Sequence, residues 1–89
     1  MAYTSGRLVA GETSLTVTAI AVSTTSINIR EVLLQSDPDN TTNVLIGTSS
    51  AQEIVLTPGQ SITIPVISMS LIYAKMASST GTVNWLARD

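Results

Sequence analysis

The chain has no histidine, no cysteine and no phenylalanine, and its aromatic residues amount to 3%. Without His or Cys there is no ordinary zinc or haem site, no thiol nucleophile, no disulfide framework and no histidine-based triad. Charge is also scarce. Charged residues make up 11% of the 89, against roughly a quarter in soluble domains. Only four are basic and the net charge is −2, which argues against nucleic acid as a partner. No apolar run approaches the roughly 18 residues that span a bilayer. The start lacks the basic segment and 7–15-residue apolar core of a secretory signal. Glycine-rich phosphate loops and amphipathic membrane helices are missing as well.

What remains is 44% hydrophobic and rich in Ser and Thr. A domain this short buries only about 60–65% of its unfolded surface. Disulfides and transition metals cannot supplement that core, so oligomerisation or docking on a larger surface is expected, and sparse charge favours self-association too.

Strands and turns account for the pattern from end to end. Leu15, Val17, Ala19 and Ala21 alternate in a Thr- and Val-rich stretch, the period of a strand. A second strand is expected over Ile27–Gln35, stopped by Asp37-Pro38-Asp39-Asn40. Further strands are expected at Val44–Ile46, Glu53–Leu56 and Ser61–Val66. Thr57-Pro58-Gly59-Gln60 carries Pro and Gly where a type II turn needs them. A hairpin at Pro58-Gly59 would scatter the apolar residues over both faces, so this turn reads as a corner between two sheets. At the end of the chain, a loop at Ser78–Gly81 would place Met76 opposite Val83, Ala74 opposite Trp85 and Ile72 opposite Ala87. That register gathers the apolar set on one side and makes Trp85 a core anchor. Seven or eight short strands with closely spaced turns predict a single all-β domain over 1–89, a jelly-roll-like antiparallel sandwich or barrel.

Of the six carboxylates, only Asp37 and Asp39 are close in sequence, and turn aspartates ordinarily cap their own backbone. The calcium-loop likeness there fails for want of the glycine and distal glutamate. Thr16-Val17-Thr18 is similar to the Thr-x-Thr pairs of ice-binding β-proteins, but the pair occurs once. No cofactor, metal or catalytic residue is expected.

The C-terminal part carries a resemblance. Ile54–Ile64, with Leu56-Thr57-Pro58-Gly59-Gln60-Ser61, then Leu71–Ala77 with Ile72-Tyr73-Ala74, then Ser79–Leu86, resemble small β-domains of tailed-bacteriophage virion proteins. Val32–Ser36 and Val44–Gly47 look like the preceding hairpin of that family, with Asp-Pro-Asp-Asn in place of its usual turn. The likeness covers roughly 27–89. It implies a non-enzymatic head decoration (cement) protein on the capsid surface of the virion, made in the host cytoplasm, trimeric, and bound to the major capsid protein. The alternative is a receptor- or glycan-binding module of a head or tail fibre. On this reading 1–7 form an extended arm that orders on docking. Met1, Ala2, Tyr3 and Arg7 of the arm and Asp37, Asp39 and Asn40 of the turn are the candidate contact residues.

Overall fold

The computed structural model describes residues 8–24 and 28–88. Met1, Ala2, Tyr3 and Arg7 therefore lie outside the described residues. The strands are β1 (Leu8–Leu15), β2 (Ile20–Ala21), β3 (Glu31–Ser36), β4 (Val44–Gly47), β5 (Gln52–Leu56), β6 (Ser61–Pro65), β7 (Tyr73–Met76) and β8 (Gly81–Arg88). A single 3₁₀ turn, Met69–Leu71, precedes β7.

Two antiparallel four-stranded sheets result. Sheet A has the order β1-β8-β3-β6 and sheet B the order β2-β7-β4-β5. This is the jelly-roll order: each connection carries the chain from one sheet to the other, except β4 to β5, which turns back within sheet B. The inward faces close on Leu15, Val32, Leu34, Val44, Ile46, Met76 and Val83, all 2% exposed or less. The expected sandwich is present, and the Pro58-Gly59 turn is the corner that the apolar pattern calls for. It joins β5 in sheet B to β6 in sheet A. Gln60 N–H donates to the Thr57 carbonyl at 2.8 Å, and Gly59 takes φ +86°, the conformation a type II turn demands of its third residue.

Three expectations are corrected. The strand expected from Leu15 onward ends there. Thr16 Oγ1 accepts the Thr18 N–H and the Thr16 carbonyl accepts the Met76 N–H, so this threonine serves a bend, and beyond it only Ile20–Ala21 rejoins a ladder, as β2 beside β7. The first strand is instead β1, whose apolar pattern is diluted by Gly11, Glu12 and Ser14. The 71–77 and 82–87 segments do not form a hairpin: β7 pairs with β4 and β2, and β8 with β1 and β3. Ala74, Met76, Val83 and Ala87 do all point into the core, but from opposite sheets. Likewise Val32–Ser36 and Val44–Gly47 sit in different sheets.

Trp85 is half-buried and packs against the core cluster, as expected of an anchor. Its ring covers Gly11, its partner in register, and its Nε1–H donates to Thr13 Oγ1 at 3.1 Å. Thr13 Oγ1 in turn donates to the Val22 carbonyl at 2.6 Å. Trp85→Phe removes one bond from this relay and is expected to cost about 1 kcal/mol. Thr13→Val leaves both the indole N–H and the Val22 carbonyl without this partner and is expected to cost about 2 kcal/mol. Urea denaturation followed by circular dichroism measures both, as midpoint shifts at constant slope.

Candidate interaction surface

The outward face of sheet A carries a group of exposed apolar side chains on adjacent strands. Register aligns its rows. Leu8, Arg88, Glu31 and Pro65 form the first, Ala10, Leu86, Leu33 and Thr63 the second, and Glu12, Asn84, Gln35 and Ser61 the third. Period two sends these residues to solvent because their neighbours Val32, Leu34 and Val83 must fill the core. Leu8 is 66% exposed, Leu86 40% and Leu33 37%, so three leucines on three adjacent strands meet water.

Polar groups frame this strip. Arg88 Nε pairs with Glu31 Oε1 at 2.6 Å on one side. Both side chains are substantially exposed, so the pair orients the rim and adds little stability. On the other side Asn84 Nδ2 donates to Gln35 Oε1 and Asp37 Oδ2, each at 3.3 Å. Open depressions flank the leucines, one against Gln35, Ser61 and Asn84, the other against Glu31, Thr63 and Arg88. The outer face of sheet B is more broken. There Lys75 stands directly beside half-buried Leu45, with Val55 beyond.

The turn residues singled out from sequence fall elsewhere, at one end of the sandwich. Asp37 Oδ1 accepts the Asp39 N–H at 2.9 Å, the self-capping expected of a turn aspartate. Asp39 is exposed there. Asn40 points inward: its Nδ2 donates to the Thr82 carbonyl (2.8 Å) and to Ser36 Oγ (3.0 Å), and its Oδ1 accepts the Thr82 N–H (2.9 Å). Asn40 is thus bound up in holding two crossovers together. No group of three acidic residues that could hold a metal ion occurs among the described residues.

Leu8, Leu33, Leu86, Glu31 and Arg88 were not candidates from sequence. A signal for Leu33 exists in the unbroken Val32-Leu33-Leu34 run, because in a two-layer sandwich one residue of such a run must face outward. Comparison with protein-family models, curated proteins and solved structures finds no match for the chain.

Proposed function

We propose that this chain is a non-enzymatic structural protein that decorates a bacteriophage head, docking on the major capsid protein and stabilising contacts between capsid subunits. The observation that carries the reading is the apolar strip on sheet A, Leu8, Ala10, Leu86 and Leu33, framed by an ion pair and an amide ladder. An apolar centre with a polar rim suits a modest protein contact. Repetition of weak contacts over a shell, through an oligomer, multiplies their strength. The virion-like sequence pattern over 27–89 supports the shell as partner and a homotrimer as the form that bridges it.

The test mixes the purified protein with heads that lack it and reads cosedimentation and resistance to heat. Saturable binding that raises the disruption temperature is expected, with Leu86→Lys weakening it about tenfold, the equivalent of roughly 1.4 kcal/mol. Absence of both binding and protection overturns the reading. Binding to host cells or glycans instead of heads would move the chain to a fibre module.

A further inference from the structure

We infer that β1 is a pairing edge, and that its occupant is β1 of a second copy of this chain, added antiparallel about a two-fold axis centred on Gly11. The inference goes beyond the decoration reading and does not rest on it. A two-fold contact joins copies in pairs, so it is a different contact from one that closes a trimer.

The observation is a contrast among the four sheet edges. Exposed edge strands present unpaired N–H and C=O groups, and proteins blunt them by shortening, by bulges, by proline or by charge. Three edges here are blunted. β2 is two residues long. β5 is only five residues long, and its pairing with β4 shifts register between Ile46 and Gly47. β6 ends on Pro65. The fourth edge, β1, is eight residues long and keeps an unbroken register with β8 from Leu8↔Arg88 to Leu15↔Gly81. It has no proline, and its one charged residue is Glu12. Among the described residues β8 is its only ladder partner.

Self-pairing follows from which edges are open. β1 with β1 is the one edge-to-edge contact between copies that uses no blunted strand. Being isologous, it closes at two copies and does not propagate into a fibre. Register follows from charge and pleat. A continuous pleat puts residues of the same face opposite each other, so the axis passes through a residue. Centred on Glu12, the pairing would set two like charges directly opposite, which is unfavourable. Centred on Gly11, it sets Glu12 opposite Ala10, Thr13 opposite Val9 and Ser14 opposite Leu8. Each copy's apolar row, Ala10 and Leu86, then abuts the polar row, Glu12 and Asn84, of the other across one eight-stranded sheet.

Two substitutions at exposed Ala10 test this with opposite signs. Ala10→Lys places a cation opposite the partner copy's glutamate and should tighten association about three- to tenfold. Ala10→Glu should weaken it by a similar factor. Sedimentation equilibrium over a wide concentration range reads both. If lysine weakens association as much as glutamate does, the register is wrong and the proposal falls. The absence of native cysteine allows a second, geometric readout. Ala10→Cys and Glu12→Cys chains, mixed and oxidised, should form a mixed disulfide dimer, since opposed Cα atoms lie about 4.5–5.5 Å apart, within disulfide reach. Cross-linking of Glu12→Cys with itself overturns the Gly11-centred register. A monomer at every concentration, or a trimer without the mixed cross-link, overturns the pairing altogether. Neither result touches the head-binding assay, so the two proposals fail separately.

Discussion

Asn40→Ala is expected to lower the melting temperature by about 12–24 °C, corresponding to about 3 kcal/mol in a domain of this size. The effect is out of proportion to a half-buried turn residue until its bonds are traced. The amide spans two crossovers that sequence separation keeps apart, making both a donor and an acceptor bond to the backbone of Thr82 and a third bond to Ser36. Among the described residues Ser36 is the one fully buried polar side chain, 0% exposed, and its hydroxyl is bonded by this amide. Without Asn40 the Thr82 N–H loses its acceptor, while the Thr82 carbonyl keeps only the longer bond from Asp37 N–H at 3.2 Å. Leaving this part-buried donor unsatisfied costs about 1 kcal/mol by itself, and the two lost donor bonds of the amide add about 2 kcal/mol. Asn40→Asp separates hydrogen bonding from shape. Aspartate retains an acceptor for the Thr82 N–H but turns an oxygen toward the Thr82 carbonyl, beside Asp37 and Asp39. It should rescue none of the loss at neutral pH. A thermal melt of Asn40→Asp matching the parent would show that the amide donor contributes nothing.

The same crossovers explain what could be read in the sequence and what could not. Alternation in 71–77 and 82–87 correctly separates the inward set (Ala74, Met76, Val83, Ala87) from the outward one. It cannot say whether two inward-facing strands lie side by side or face each other across the core, because both arrangements bury the same side chains. At Pro58-Gly59 the hairpin register mismatched the apolar residues and the corner became legible. At 78–81 the register happened to match, and only long-range pairing with β1, β3 and β4 decides the outcome. Those partners are set by how all eight strands share one core, which is not a local property.

The outward apolar residues of both sheets were legible in principle through the runs that hold them. Val32-Leu33-Leu34, Val44-Leu45-Ile46 and Ile54-Val55-Leu56 each hold apolar residues of both parities, and in each the middle residue points outward. Leu33 gains meaning only beside Leu86 and Leu8, two strands that lie far from it in sequence. β1 was hidden for a different reason. Its inner face has Gly11 where a side chain would announce a strand, and the missing volume is supplied by Trp85 from the neighbouring strand.

Among the described glycines Gly47→Ala should be the most damaging substitution, costing about 3 kcal/mol, whereas Gly59→Ala should cost about 1 kcal/mol. The two glycines are required for unlike reasons. Gly59 has positive φ and open space around the position of a Cβ, so alanine meets only its own backbone strain, about 1–2 kcal/mol for a left-handed residue. Gly47 sits at the irregularity in the β4–β5 pairing, and a Cβ there would overlap the Ala51 carbonyl oxygen and come within 2.8 Å of Gln52 Cα. Both are backbone atoms that cannot swing aside. Relief requires opening the 48–51 loop, which gives up the Thr48 N–H bond to Ala51 O (2.8 Å) and strains the Gln52 Nε2 bond to Thr48 O (2.6 Å). That loop closes the one within-sheet hairpin of the fold, so its loss frees the edge of sheet B and exposes Ile46 and Leu56 beneath it. Urea midpoints should rank parent, Gly59→Ala, Gly47→Ala in falling order, and amide exchange in Gly47→Ala should quicken first in β4 and β5. Gly59→Asn completes the separation: asparagine tolerates the left-handed region and should recover part of the Gly59→Ala loss. At 47 the same change should do no better than alanine, because the obstacle there is a neighbouring carbonyl and not a dihedral angle.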